Sequence, residues 1–252
     1  MNTLQIKSSP AKPDRRVAIL QSNYIPWKGY FDIIHDVDLF IFYDDVQYTK
    51  RDWRNRNKIK TPRGSEWLTV PANGGREDLI CEVQLSDSKW QASHWKTIKQ
   101  FYNKSPFFLY YQKLLEDVYL SNVWTHLSDL NQHLIKIIAH ESLGIKTEFV
   151  DSRIYAASAV KQERIIELLV KCGATFYLSG PAAKSYIDEA FFSQAGIELA
   201  WKDYSGYPEY PQCFPPFEHG VSILDLLFNV GPDAPWYIWG WREAVLNPHQ
   251  LV

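Results

Sequence analysis

Short apolar runs that end in polar residues divide the chain into predicted strands and loops. Residues 17–20 are followed by the polar residues 21–23, and the apolar run 38–43 stops at the pair Asp44-Asp45. Runs of this length between polar ends are typical of buried strands in a parallel sheet. Between the two runs, apolar positions at near-helical spacing predict a helix with Pro26 at its start. The order predicts a βαβ unit.

The same alternation returns later in the chain. We expect helices over 90–102, 106–119, 123–143, 161–172 and 222–229, and strands over 66–71, 146–151, 174–178 and 197–201. The predicted fold class is α/β: a short mixed or parallel sheet flanked by helices, with a helical middle segment. Residues 1–16 show no periodicity and are predicted to form a disordered leader. Residues 17–252 are predicted to form one compact α/β domain, in one or two lobes, with a helical insert around 88–144.

Composition changes this picture in one respect, which is aromatic content. The 252 residues include 10 Trp, 15 Tyr and 13 Phe, which together make up 15% of the chain. Such a chain either packs an aromatic core or lines a groove with flat rings, for which sugars and nucleobases are the usual ligands.

Charge and cysteine content exclude several classes of protein. A net charge of −2 argues against a protein whose main partner is bulk nucleic acid or an anionic membrane. The three cysteines, Cys81, Cys172 and Cys213, are widely spaced and form no C-x-x-C pair, so we expect reduced thiols and no metal site. No segment resembles a signal peptide or a membrane span, which favours a cytoplasmic location.

The strongest charge asymmetry lies between residues 50 and 63, where seven basic residues accompany one acid, Asp52. Basic side chains bind phosphate oxygens, and aromatic rings placed among them can stack on a base. We therefore predict that this stretch binds a nucleotide diphosphate. Its predicted ligand-binding residues are Tyr48, Lys50, Arg51, Trp53, Arg54, Asn55 and Arg56. A solvated basic face and a site for single-stranded nucleic acid are the alternatives, and the near-neutral remainder of the chain makes nucleic acid the weaker one.

Two further segments could contact a sugar. The loop after the first strand is polar, aromatic and glycine-containing, and its Gln21, Tyr24 and Trp27 are predicted to face the sugar. It matches neither a dinucleotide-binding fingerprint nor a P-loop. The proline-rich segment 207–212, which ends at Gln212, offers either a rigid aromatic wall or a connector that packs on the core.

Candidate catalytic groups are few. Asp44 and Asp45 follow a strand end, so they could bind Mg²⁺ beside a diphosphate, act as a general base, or pair with nearby arginines. His219 lies beside a predicted loop. No serine or cysteine lies in a nucleophile motif.

Five motifs in this order resemble the WbqC-like family, over about residues 17–231. They are LQSNYIPWKGYFD at 20–32, DLFIFYDDVQYTKRDWRNRNKIK at 38–60, WLTVP at 67–71, YLSGP at 177–181 and SILDLLFNVG at 222–231. The resemblance implies a role in bacterial O-antigen and other surface-polysaccharide gene clusters, where nucleotide-linked sugars are made and decorated. It implies a pathway and names no reaction.

The leading hypothesis is therefore a transferase that moves an acyl or aminoacyl group to the amine of a nucleotide-linked amino sugar. Asp45 or His219 would take the proton from the amine, since an ammonium has no lone pair with which to attack. One alternative is a Mg²⁺-dependent glycosyltransferase that uses the paired aspartates. Another is a non-catalytic module that binds a polysaccharide or a partner through an exposed Trp-rich segment at 235–241. The oligomeric state stays open, with a homodimer among the possibilities.

Overall fold

The computed structural model describes residues 14–242. The strands in this range are β1 (Arg16–Leu20), β2 (Leu39–Phe42), β3 (Arg56–Thr61), β4 (Gly64–Thr69), β5 (Glu148–Asp151), β6 (Phe176–Ser179) and β7 (Glu198–Trp201). The α-helices are α1 (Lys28–His35), α2 (Lys89–Tyr102), α3 (Phe108–Glu116), α4 (Leu127–Ile137), α5 (Lys161–Lys171), α6 (Glu189–Gln194) and α7 (Ile223–Val230). Wider helical turns continue α3 over Asp117–Ser121 and α4 over Ile138–Ser142.

Five strands form one parallel sheet in the order β5-β2-β1-β6-β7. β1 lies in the centre, with Val17 opposite Leu39 on one side and opposite Tyr177 on the other. β3 and β4 form a separate antiparallel hairpin. The predicted α/β class is confirmed, and so is the helical middle segment, which contains α2, α3 and α4.

Alternation along the central strands divides the core into two apolar layers. Val17 and Ile19 of β1 pack on the side of α5 and α6, whereas Ala18 faces the larger layer that contains the middle helices. Phe40 and Phe42 of β2 point to that larger layer as well. Successive side chains of a strand point to opposite faces, so an uninterrupted apolar run is what a sheet covered on both faces requires.

α7 closes the larger layer, and its ends match the sequence prediction. The hydroxyl of Ser222 accepts a hydrogen bond from the backbone N–H of Leu224, at 3.3 Å, and so caps the helix as expected. Asp225 in the first turn is fully buried and accepts hydrogen bonds from Tyr102 and Tyr210 at 2.9 and 2.8 Å. These contacts fasten α7 to α2 and to the proline-rich segment.

Several expectations differ from the structure in detail. The start of the predicted strand at 66–71 moves to Gly64, and β3 lies within the basic stretch, where no strand was predicted. Residues 1–13 of the predicted leader lie outside the described residues, and Arg16 already belongs to β1.

Cys81, Cys172 and Cys213 are all free thiols, as expected. Among residues 14–242, none of the helices has the length and apolar character needed to cross a bilayer.

The glycine that follows α7 predicts a position-specific loss of stability. Gly231 has φ +59°, and a Cβ there would approach the ring of Phe107 to 2.3 Å. We expect Gly231→Ala to lower the free energy of unfolding by at least about 2 kcal/mol, because backbone strain and a steric clash add. Gly144→Ala, at φ +68° with open space around it, should cost only about 1 kcal/mol. Urea denaturation measures both, and equal losses would show that the Phe107 ring moves aside freely.

Candidate functional site

The carboxyl edge of the sheet is where the fold favours ligand binding. From β1 the chain continues to β2, toward one edge of the sheet, whereas from β6 it continues to β7, toward the opposite edge. The direction of the connections therefore reverses between β1 and β6. Open α/β sheets bind ligands outside the strand ends at such a reversal of direction. The loop 21–27 begins at this point. This loop meets the residues that follow β2, since the Ser22 N–H donates to Asp44 Oδ1 at 2.7 Å.

A cavity of about 290 Å³ lies against this loop. It is lined by Asn23, Pro26, Trp27, Trp53, Asn57 and Gly220. Two indole rings and two carboxamides therefore surround it, which combines flat apolar walls with hydrogen-bonding groups. This composition suits a ring that bears hydroxyl groups.

Three backbone hydrogen bonds bring the lining segments together. The Tyr24 N–H donates to the Trp53 carbonyl at 3.0 Å, which joins the β1–α1 loop to the turn before β3. Ser222 donates to the carbonyl of Lys58 and Ile223 to that of Pro26, both at 2.9 Å. The start of α7 is thereby fixed between the hairpin and the loop, and Gly220 is placed at the cavity.

Arg54 braces the loop from inside. Its guanidinium donates to Asn23 Oδ1 at 2.6 Å and to Gln21 Oε1. Its charged partner Asp52 is 3.9 Å away, and burial lowers the pKa of Arg54 although the guanidinium stays charged. The structure thus brings Gln21 and Arg54 together with Asn23, and the arginine that was predicted to bind a diphosphate donates to the loop.

Arg56 and Trp53 lie beside the cavity on the hairpin side. Trp53 lines the cavity and is partly exposed. The guanidinium of Arg56 stacks on the ring of Trp67, 4.2 Å from its centroid. Lys50 and Arg51 precede this region and are exposed. The basic stretch is therefore partly buried and partly open.

Three predicted ligand-binding residues lie in the protein interior instead. Tyr24 is fully buried, with its hydroxyl 2.8 Å from His94 Nδ1 and 2.5 Å from Tyr119 Oη. Tyr48 is buried against Gly74. Asn55 donates to the Val70 carbonyl at 3.0 Å and fastens the end of β4. The expectation that Tyr24 faces a sugar and Tyr48 a base is corrected, because both rings complete the core.

Gln212 has a supporting position. Its amide nitrogen donates to the Glu218 carbonyl and to Asp225 Oδ1, both at 2.9 Å, and its oxygen accepts from the Glu218 N–H at 2.9 Å. These bonds use both ends of the amide to hold the loop 212–218. The structure therefore favours the connector interpretation of the segment 207–212.

The paired aspartates are both engaged by the protein. Asp44 is fully buried and accepts hydrogen bonds from Ser128 at 2.5 Å and Gln132 at 3.0 Å, besides the bond from the loop after β1. Asp45 accepts from the Ser152 hydroxyl at 2.5 Å and forms a salt bridge with Arg164. The expected ion pairing is found, although the partner of Asp45 comes from α5 and not from the basic stretch. Among the described residues, no group of three or more His, Cys, Asp and Glu side chains is arranged to hold a metal ion.

His219 precedes the cavity-lining Gly220 and has an unused nitrogen. Its Nδ1 is buried without a hydrogen-bond partner in the described part of the chain, and its ring packs edge-on against Phe217 with 4.6 Å between centroids. Burial lowers the pKa of His219 below its ordinary value, and the charge of Lys28 lowers it further. The imidazole is therefore neutral near pH 7 and able to accept a proton.

The sequence analysis missed the cavity-lining Asn57 and the buried Lys28, whose charge acts on His219. Lys28 is buried in the first turn of α1, between the rings of Tyr207 and Tyr210 at 4.9 and 5.2 Å, and donates to the Pro208 carbonyl at 3.2 Å. Asn57 donates to the carbonyls of the β1–α1 loop and lines the cavity. Ile59, two positions after Asn57 and therefore on the same face of a strand, is the signal that could have marked Asn57 as inward-facing.

Comparisons with known proteins assign the family. The model of the WbqC-like protein family matches residues 21–237. The chain belongs to the WbqC-like protein family. A Mycobacterium tuberculosis protein named as uncharacterized, Rv1507c, is 46% identical over 226 residues, which are 89% of this chain and 97% of that protein. No solved structure matches the chain.

The family match covers the whole candidate site of this WbqC-like protein. The matched range begins at Gln21, directly after β1, and includes every residue that lines the cavity. It also includes both aspartates, His219 and the hairpin. The resemblance expected from the sequence motifs is thus confirmed, and the site described above lies within the part of the chain that defines the family.

The brace formed by Arg54 predicts a specific cost of its removal. We expect Arg54→Lys to lower the free energy of unfolding by about 2 kcal/mol, because a lysine cannot hold both amide oxygens and leaves buried polar groups without partners. The same exchange at the exposed Arg51 should stay within about 0.5 kcal/mol. Urea denaturation of both variants measures the difference. Similar values for the two would contradict the role of Arg54 as a brace.

Lys28 predicts a pH dependence of stability. Burial lowers the pKa of its ammonium from 10.5 to about 8. Between these values the unfolded chain binds more protons than the folded one, so the penalty for burying the charge is complete below about pH 8 and disappears toward pH 10.5. We expect the free energy of unfolding of the wild type, relative to Lys28→Met, to rise over this range.

Urea denaturation at several pH values tests this expectation. Lys50→Met, which removes an exposed ammonium, is the matched control and should keep the wild-type pH profile. A constant difference between the wild type and Lys28→Met would show that Lys28 keeps its ordinary pKa.

Proposed function

We propose that this WbqC-like protein transfers an acyl or aminoacyl group to the amine of a nucleotide-linked amino sugar. The observation that supports this most directly is the cavity with two indole walls and two carboxamides beside His219. The C–H faces of a sugar ring pack on indoles, and the Asn23 amide nitrogen, which forms no hydrogen bond within the described residues, can donate to a sugar hydroxyl. His219 directly precedes the cavity-lining Gly220, and its neutral imidazole is the group that we assign as the base for the amine acceptor.

The transfer requires one new bond and one proton acceptor. The amine nitrogen forms an amide bond to the carbonyl carbon of an activated ester or thioester, and the bond from that carbon to the leaving oxygen or sulfur breaks. His219 takes the proton that the amine loses and returns it to the leaving group. The low pKa of His219 keeps the imidazole in its basic form before the reaction.

His219 is a better base than Asp45 in this arrangement. Both oxygens of Asp45 are bound, one by the Ser152 hydroxyl and the other by the guanidinium of Arg164. Such a carboxylate would have to break one of these hydrogen bonds before it could accept a proton from the amine. We therefore assign Asp45 to the support of the strand ends and His219 to proton transfer.

The alternative functions have less support. A glycosyltransferase would use Asp44 or Asp45 on Mg²⁺, yet both carboxylates already serve protein groups. A binding module with an exposed Trp-rich segment is weakened by the packing of that segment. Trp239 stacks on His35 with 4.0 Å between ring centroids, and Ile238 is fully buried. Trp236 is exposed, whereas Trp239 and Trp241 are half-buried.

The proposal also gives the protein a place in the cell. Nucleotide-linked amino sugars that are decorated for surface polysaccharides, including O-antigen and lipopolysaccharide, are the substrate class that the family resemblance suggests. Such an enzyme would work in the cytoplasm, with the donor group supplied as an activated acyl or aminoacyl compound.

If His219 is the base, its substitution should change kcat and leave KM nearly unchanged. We expect His219→Gln to lower kcat about 100-fold with little change in KM, because proton transfer is lost and the sugar contacts remain. The measurement is amide formation, followed by mass spectrometry, with a panel of nucleotide-linked amino sugars and acyl donors. His126→Gln, at the start of α4, is the matched control and should keep wild-type kcat. Tight binding of a nucleotide sugar without turnover of any donor would contradict the transferase and favour the binding module.

A further inference from the structure

Two tryptophans of the hairpin region remain open to solvent. Trp53 is 43% exposed and Trp67 is 42% exposed, although many aromatic rings of this chain are buried in the core. Their ring centroids are 5.2 Å apart with an angle of 45° between the planes. Large exposed rings side by side lose favourable burial unless a ligand covers them, so the pair is a candidate contact surface.

A cation that forms no salt bridge within residues 14–242 lies against this surface, although the carboxylate of Asp52 is near enough for its pKa to be lowered by this charge. The Arg56 guanidinium stacks on Trp67, and its Nε is buried with no hydrogen-bond partner in the range 14–242. Lys58 also lies over Trp67, at 5.5 Å, but it pairs with Glu218 at 3.2 Å. Arg56 thus keeps its charge available for an anion at the edge of the ring.

The surface is continuous with the cavity. Trp53 lines the cavity, and its ring centroid lies 5.2 Å from that of Trp67. A ligand whose sugar occupies the cavity would therefore extend past Trp53 to Trp67 and Arg56. The ligand group that fits this order carries an anion next to a flat ring.

We propose that Trp67 and Arg56 form the nucleotide subsite, in which Trp67 stacks on the base and Arg56 binds the diphosphate. The subsite deepens the proposed function and rests on it for the identity of the sugar end. It also replaces the base-stacking role that the sequence gave to Tyr48, which is buried. The occupant is a nucleoside diphosphate, since a base offers the flat ring and the diphosphate offers the anion.

Titration calorimetry with UDP and dTDP tests the subsite without a sugar or a donor. Trp67→Ala should weaken binding at least fivefold, because stacking on one base is worth about that factor or more. Trp67→Phe should recover most of the affinity, and Arg56→Gln should weaken binding of the diphosphates more than that of the free nucleosides. The control is Trp236→Ala, which removes an equally exposed indole away from the hairpin and should leave affinity unchanged.

The outcomes separate this subsite from the transferase proposal. Unchanged UDP and dTDP affinity in Trp67→Ala, or no binding by the wild type, overturns the subsite even if amide formation is observed. Trp67-dependent binding without any amide formation supports the subsite and counts against the transferase. An oligo-dT strand that binds far more tightly than dTDP, and in a Trp67-dependent way, would identify single-stranded nucleic acid as the occupant and overturn the proposal.

Discussion

One buried carboxylate holds the carboxyl edge of the sheet together. Asp44 accepts hydrogen bonds from the backbone of Ser22 and from the side chains of Ser128 and Gln132. A buried carboxylate is costly unless its oxygens are bonded, so these partners must converge on it. The convergence fixes the first turn of the loop after β1, and the bond from Tyr24 to the Trp53 carbonyl carries the same loop to the hairpin. The cavity thus depends on a contact that no ligand reaches.

The sequence predicted the sheet well because each parallel strand is an apolar run covered on both faces. It missed β3 for the opposite reason, since that strand consists almost wholly of polar residues. Lys60 is nearly fully buried, and its backbone N–H donates to the Tyr102 hydroxyl at 2.9 Å. A lysine can bury its aliphatic stem and satisfy its ammonium at a carbonyl, as Lys60 does at Pro216. The number of charged residues in this stretch therefore predicts an exposed surface, although the residues of β3 form a half-buried strand.

The candidate site was predicted in part, and the errors have a common cause. Trp27 and Trp53 line one cavity, and Arg54 is hydrogen-bonded to Gln21 and not to a ligand. Tyr24 lies in the same loop, yet its ring points into the core, where its hydroxyl has two partners. Which way a ring in a loop points is decided by distant residues, and local sequence carries no signal of them. Most of the aromatic content proves to be core for the same reason.

The bracing of the loop also explains why positive charge persists at the cavity. Arg54 holds Gln21 and Asn23 through neutral amide oxygens, while the carboxylate nearest to it, on Asp52, stays 3.9 Å away. A carboxylate in place of either amide would hold the loop more strongly but would cancel the charge. Arg56 uses an aromatic face as its neighbour, which likewise leaves its charge intact. The segment 54–56 therefore holds two guanidinium groups near a single acid, Asp52, which is the excess of positive charge that the proposed diphosphate would require.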